Sequence, residues 1–157
     1  MQTLRPTESG FTLVELLVCV VVLGILASLG ASGFQSLIQS QQAKNASFEI
    51  FSSLSLARSE AIKRNNFVTL TPTDSTNWGK GWAITSAAGI IKSQSELKKI
   101  VISQGTASVV YAPTGRATTP TSFLLDVSTN PTANARCIKI ELSGMPRVYK
   151  PMNGICV

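Results

Sequence analysis

Apolar residues follow two different patterns in the first third of the chain. Nearly every position from Phe11 to Phe34 is apolar or small, in the run FTLVELLVCVVVLGILASLGASGF. About 20 such residues are enough to cross a bilayer as a helix. Beyond Gln35, apolar residues recur every three to four positions among Gln, Ser, Lys and Asn, which is typical of an amphipathic helix. No proline separates the two segments, so we expect one helix from Phe11 to about Arg64 whose first half spans a membrane.

The second half of this helix is expected to pack on a folded head through its apolar stripe. The run KRNN at 63–66 supplies a basic last turn followed by asparagines that stop the helix. The predicted stripe consists of Phe34, Leu37, Ile38, Phe48, Phe51, Leu54, Ala57 and Ala61.

After Asn66 the pattern changes to short apolar or alternating runs separated by Gly, Pro, Asn, Ser or Thr. Such runs predict antiparallel strands and turns. The predicted strands are FVTLT (67–71), GWAITS (81–86), KKIVIS (98–103), ASVVYA (107–112), SFLLDV (122–127), RCIKIEL (136–142) and RVYK (147–150). Seven strands in about 90 residues predict an α+β fold, with one or two antiparallel sheets packed on the second half of the helix.

Two local features of this region are predicted to be structural. Trp78 and Trp82, on either side of GKG, are expected to form a packed turn rather than a ligand platform. TGR at 114–116 is expected to form a hairpin turn with Arg116 in solvent.

Composition excludes several kinds of chemistry. The chain has no histidine and three scattered cysteines, which argues against a zinc site or a histidine-based catalytic triad. Its acidic residues show no paired spacing for acid–base catalysis. We therefore expect a non-enzymatic protein without a cofactor or a metal. From Gln35 onward, thirteen Lys and Arg against six Asp and Glu give a net charge of +7, which favours anionic partners such as lipid headgroups or nucleic acid.

Glu15 is the only charged residue between Glu8 and Lys44. A carboxylate within a bilayer segment is unfavourable by several kcal/mol unless another group neutralises it, which makes Glu15 a functional candidate. A secretory signal peptide is the alternative, because ASLGASG at 27–33 could serve as its cleavage site. Signal peptides avoid charge in their apolar region, however, and the helical pattern continues beyond the glycines.

The run GFTLVELLVCVVVLGILA resembles the leader-peptide junction and N-terminal helix of type IV pilins and type II secretion pseudopilins. The resemblance implies that prepilin peptidase cuts between Gly10 and Phe11, that Phe11 becomes N-methylated, and that Glu15 is the family's fifth-position glutamate. The leader departs from the family in carrying one arginine, balanced by a glutamate, rather than several basic residues. Cleavage would expose an α-amino group on Phe11, with which Glu15 of a neighbouring subunit could pair and so set the stagger between helices.

Several runs farther along the chain, among them LARSEAIKRNNFVTL, NWGKGWAI, YAPTGRA and CIKIELSG, resemble the GspH/FimT class of minor pilins and pseudopilins. The resemblance implies residues 1–10 as the leader peptide, 11–34 as the transmembrane and assembly helix, 35–66 as the amphipathic helix of the head, and 67–157 as a periplasmic β-rich head. It further implies a single-pass inner-membrane subunit that assembles with other pilins into a type IV pilus or a type II secretion pseudopilus. The basic head and the lack of an obvious acidic metal loop favour the pilus.

Cys137 and Cys156 lie 19 positions apart. If this region is extracytoplasmic, they are expected to form a disulfide that stabilises the fold by about 3 kcal/mol. The alternative is a pair of buried free thiols in a cytosolic domain. Cys19 is expected only to pack within the apolar run.

A DNA-binding minor pilin used in DNA uptake is the alternative function. Some FimT-type minor pilins bind DNA through a C-terminal Gly-Arg-x-Arg motif, and this chain has GMPR at 144–147, with Met145 in place of the first arginine. The DNA-binding candidates are Arg136, Lys139, Arg147 and Lys150. An ordinary solvated basic edge explains the same residues. A secreted enzyme released near residue 32 is a third possibility, without a visible catalytic constellation.

Overall fold

The computed structural model describes residues 11–127 and 134–156. The predicted leader, residues 1–10, lies outside the described residues. The chain divides into two compact units, the first ending at Ser36 and the second beginning at Leu37. Among the described residues, no helix is both long enough and apolar enough to cross a membrane.

Helix α1 spans Leu13–Arg64, as the continuous helical pattern predicts. Lys63 and Arg64 form its basic last turn. Asn65 then takes a positive φ of 48°, the left-handed conformation that commonly ends a helix and that asparagine tolerates. The N–H groups of Asn65 and Asn66 donate to carbonyls of the last turn, which satisfies groups that the helix end would leave without partners.

Eight strands form two antiparallel sheets in the second unit. The first sheet has the order β3-β2-β1-β5, and the second has the order β4-β6-β7-β8. The strands are β1 (Val68–Pro72), β2 (Trp82–Ser86), β3 (Gly89–Gln94), β4 (Val101–Ser103), β5 (Val109–Tyr111), β6 (Thr121–Asp126), β7 (Arg136–Ile140) and β8 (Pro146–Tyr149), with a 3₁₀ turn at Trp78–Lys80.

Each of the seven predicted strands has a counterpart in the structure, and the α+β fold is confirmed. The sequence reasoning missed β3, because this edge strand is mostly exposed and has no apolar alternation. The predicted strand at 98–103 is shorter than expected. Lys99 takes a φ of 61°, which is incompatible with a strand, and β4 begins only at Val101.

The face of α1 that packs on the sheets differs from the predicted stripe. Leu54, Ala57 and Ala61 are buried as expected, but Phe48 is 68% exposed. At 100° per residue, Phe48 projects about 200° round the helix from the fully buried Ile50. Phe34, Leu37 and Ile38, the first residues of the predicted stripe, are also exposed. The helix residues of the core are Ala43, Ala46, Ile50, Leu54, Ala57 and Ala61.

The two tryptophans form the expected packed turn. Trp78 and Trp82 are both 1% exposed, and their ring centroids lie 6.2 Å apart. Trp78 also packs edge-on against Phe123 at 4.9 Å, and its Nε1–H donates to the Thr106 carbonyl at 2.8 Å. The turn at 114–116 is present as well, with Arg116 exposed.

Candidate functional site

The start of helix α1 holds Glu15 in a capping box. The backbone N–H of Thr12 and its hydroxyl donate to Oε2 of Glu15 at 3.2 and 3.1 Å. In return, the N–H of Glu15 donates to the Thr12 hydroxyl oxygen at 3.2 Å. A carboxylate at the third helical position also interacts favourably with the positive end of the helix dipole. Within a single chain, the Glu15 carboxylate therefore has hydrogen-bond donors.

Thr12 is a residue of this site that the sequence reasoning missed. The signal was available, because a threonine followed three residues later by a glutamate is the sequence signature of a capping box. Phe11 directly precedes Thr12 and is 83% exposed. Gly10, the predicted cleavage residue, lies outside the described part of the chain.

The apolar side chains next to Glu15 at the start of α1 are exposed to solvent. Leu13, Val14, Leu16 and Leu17 are each more than half exposed. A contiguous apolar surface of this extent marks a membrane or a protein interface. The start of α1 therefore combines one carboxylate, held by a cap, with an apolar surface that needs an environment other than water.

The four basic candidates of the C-terminal region do not form one cluster. Lys139 on β7 lies directly opposite Arg147 on β8. The face of β7 that carries Lys139 is the opposite one from that of the buried Ile138 and Ile140, as predicted. Directly opposed like charges are unfavourable, so an anion bound between Lys139 and Arg147 would be stabilised.

Arg136 and Lys150 are placed differently from this pair. Arg136 lies three positions before Lys139 on β7 and therefore on the opposite face of the strand. Its guanidinium Nη1 donates to the carbonyls of Asn134 and Ala135 at 3.0 and 2.8 Å. Lys150 is exposed and follows the last residue of β8. The structure thus brings together two of the four candidates.

The disulfide between Cys137 and Cys156 is present, with an S–S distance of 2.01 Å. It joins β7 to the segment after β8. Cys137 is fully buried in a small cluster with Leu124 and Ala135, against which Tyr149 and Cys156 pack. Cys19 is a free, exposed cysteine, so its predicted packing within the chain is not seen. Within residues 11–127 and 134–156, no group of three or more Cys, Asp or Glu side chains could hold a metal ion.

A helix packed on two antiparallel sheets, with a capped glutamate at its apolar start, defines the pilin class of fold. The profile of the family described as Type II transport protein GspH matches residues 46–144, and the Prokaryotic N-terminal methylation motif matches residues 5–31. Because the first match covers more than half of the chain, this protein belongs to the GspH family. The family and the fold are those of structural pilins.

Solved structures show the same fold at low sequence identity. The type IV minor pilin FimU of Pseudomonas aeruginosa PAO1 superposes with a TM-score of 0.59 and 18% identity, over 71% of this chain and 90% of FimU. The minor pseudopilin EpsH from the type 2 secretion system of Vibrio cholerae gives 0.55 and 13%, over 70% of this chain and 98% of EpsH. No curated protein sequence matches the chain significantly. The chain is thus a pilin-like protein of the GspH family that carries the N-terminal methylation motif.

Proposed function

We propose that this chain is a minor pilin of a type IV pilus. Before assembly, residues 11–34 anchor it in the inner membrane as a single pass, and the head lies in the periplasm. Prepilin peptidase removes residues 1–10, and Phe11 is then N-methylated. The methylation motif at 5–31 supports these processing steps. The net charge of +7 beyond Gln35 favours a pilus subunit over a secretion pseudopilin. Its partners are other major and minor pilins.

The Thr12–Glu15 capping box is the observation that carries the mechanism. In the unassembled chain, Glu15 accepts two hydrogen bonds from Thr12, which lowers the free energy of a carboxylate in apolar surroundings. Processing creates an α-amino group on Phe11. During assembly, that amine from a neighbouring subunit pairs with Glu15 and fixes the axial position of one helix against the next. The capping box thus stabilises the Glu15 carboxylate until it pairs with the α-amino group of Phe11 from a neighbouring subunit.

Two substitutions separate the charge of Glu15 from its cap. Glu15→Gln keeps an acceptor oxygen for Thr12 but removes the charge, and Glu15→Ala removes both. If pairing with the amine matters, both variants insert in the membrane and enter filaments poorly, as measured by immunoblots of sheared filaments. Normal assembly of Glu15→Gln would refute charge pairing and leave only a capping role. Intact mass spectrometry of the parent protein checks for an N-methylated Phe11, and a start near residue 32 would refute the proposal.

The choice between pilus and secretion system needs a test in the native host. Deleting the gene is expected to reduce surface pili and twitching motility while type II secretion of enzymes continues. Reintroducing the parent protein should restore pili, and the Glu15→Ala variant should not. Loss of enzyme secretion with normal pili would assign the protein to the secretion system instead.

DNA binding is a second candidate function, favoured by the opposed Lys139 and Arg147. Two neighbouring cations can contact successive phosphates, without sequence specificity and with a strong salt dependence. We expect weak binding, micromolar or poorer, that decreases steeply with salt in a titration with duplex DNA. Lys139→Ala with Arg147→Ala should abolish it, whereas Arg147→Ala with Lys150→Ala should weaken it less. Absence of binding at low salt would refute DNA binding as a function of this chain.

A further inference from the structure

Helix α1 and strand β8 enclose an open apolar groove that the assembly mechanism above does not use. Its first part is a cavity of about 350 Å³ lined by Phe48, Phe51 and Val148, with Lys44 and Arg136 among the lining residues. A second cavity, of about 180 Å³, continues from Phe51 toward Ile62. We refer to the two cavities together as the α1–β8 groove.

The helix wall of the α1–β8 groove has the spacing of a helix-packing seam. The α1 residues that line the groove are Lys44, Ser47, Phe48, Phe51, Ser55, Arg58, Ser59 and Ile62. Apart from the two small serines at 47 and 59, their spacing alternates between four and three positions, which is the repeat that one helix presents to another. The 18 steps from Lys44 to Ile62, at about 1.5 Å each, make the seam about 27 Å long. The helix wall is therefore long enough for about five turns of a partner helix to lie along it.

The opposite wall of the groove disfavours a partner that adds a strand. β8 is the edge of its sheet, but it has only four residues and begins at Pro146, which has no N–H group to donate. Pro151 follows shortly after the strand. Met145 and Val148 are 57% and 45% exposed. A partner is thus held through these apolar side chains rather than through backbone pairing.

The charges along the groove select the partner's polar residues. Lys44, Arg58 and Arg136 line it, and no carboxylate is among the described lining residues. Arg58 Nε donates to the Gly115 carbonyl at 2.9 Å, and Arg136 is held by two backbone carbonyls, so both guanidinium groups are fixed in position. A second copy of this chain is disfavoured as the occupant because the chain beyond Gln35 carries +7.

We propose that the α1–β8 groove binds an amphipathic helix of a different pilin-like subunit, with apolar residues at three- to four-residue spacing and Asp or Glu beside them. This inference rests on the proposed function. It adds to that function the chemistry of the partner and the surface of the head to which the partner binds.

Site-specific photocrosslinking in the native host tests this inference with the full chain. p-Benzoylphenylalanine replaces Val148 in the groove, or Ile90 as the control. Ile90 is 73% exposed and lies on β3, at the edge of the other sheet. We expect the Val148 position to give an adduct with a pilin-like subunit, whose crosslinked peptide, identified by mass spectrometry, has the stated helical pattern. The Ile90 position should not give this adduct.

Charge reversal then tests the selection of acidic residues. Lys44→Glu with Arg136→Glu should reduce the Val148 adduct at least about tenfold, because repulsion replaces attraction at two sites. Lys92→Glu with Lys99→Glu, which changes the net charge equally outside the groove, should leave the adduct unchanged. Lys44→Glu alone serves as the second variant, because Lys44 is exposed and its replacement spares the Arg136 contacts.

Several outcomes would overturn the inference. These are an adduct with a membrane lipid, an adduct with a second copy of this chain, no protein adduct at Val148, or an adduct that charge reversal leaves unchanged. The mature N-terminus is determined on the same samples. A correctly processed Phe11 with an empty groove refutes only this inference, whereas an unprocessed chain refutes the proposed function.

Discussion

Reducing the bond between Cys137 and Cys156 should lower the stability of the head by about 3 kcal/mol. The two cysteines are 19 positions apart, and closing a loop of about that length removes roughly 11 cal/mol/K of entropy from the unfolded chain, or about 3 kcal/mol at 25 °C. Because the loop contains β8, the bond also holds the edge strand to its sheet. For a head of this size, we expect the Tm to decrease by roughly 10 °C.

The measurement uses the full chain in detergent with Cys19→Ser, because Cys19 is free and exposed and could exchange with the bridge. Thermal unfolding is followed by near-UV circular dichroism with and without a phosphine reductant. The matched control carries Cys137→Ala and Cys156→Ala in addition, and its Tm should not respond to reductant. Two reactive thiols in the denatured, non-reduced Cys19→Ser protein would show that the bridge does not form. An unchanged Tm after complete reduction would refute the loop-closure reasoning.

Three further predictions concern single residues of the head. Tyr111→Phe should stabilise the protein by about 1 kcal/mol in urea unfolding, because the buried hydroxyl has no hydrogen-bond partner among the described residues; a loss of stability would contradict this. Burial raises the pKa of Tyr111, so stability should fall as the pH rises above the ordinary value of 10, and less steeply in this variant. Gly144→Ala should destabilise by about 2 kcal/mol or more in the same assay, because a Cβ there would collide with the backbone carbonyl of Gly115. Gly89 also has a positive φ, of 113°, but has open space around its Cβ position, so Gly89→Ala carries backbone strain without a collision and should cost less; equal losses would refute the collision. The hydrogen bond from Arg64 lowers the pKa of Glu60 below 4.5, so the ionised Glu60 stabilises the fold above that pH, and this stabilisation is lost as the pH falls through the lowered pKa. In Glu60→Gln, the Tm should therefore decline less steeply below pH 5, and an identical slope would contradict this.

The sequence predicted the elements of the head better than their orientation. Helix α1 and seven strands follow from the period of apolar residues, which local chain geometry imposes. Which face of α1 packs on the sheets was not predictable in the same way, because four of its six core positions are alanines. Alanine contributes little to a hydrophobic pattern. The larger Phe48 was therefore included in the predicted stripe although it lies on the exposed face of the helix.

The candidate sites show the same division between local and long-range information. Glu15 could be found from its isolation in an apolar run, and its cap needs only Thr12, three residues away. The split of the four basic candidates depends on strand pairing, which places Lys139 opposite Arg147. The α1–β8 groove joins residues about 90 positions apart, and no periodicity in the sequence connects them. Sequence reasoning therefore finds sites built within one element and misses those built between elements.

The order in which the chain visits its two sheets has a consequence for how the head unfolds. After three strands of the first sheet, the chain forms β4 in the second, returns to the first with β5, and then completes the second. Both sheets share one core with α1. Neither sheet can separate without pulling out a strand whose sequence neighbours belong to the other. The head is therefore a single cooperative unit, and its melting should give one calorimetric transition in which the van't Hoff and measured enthalpies agree.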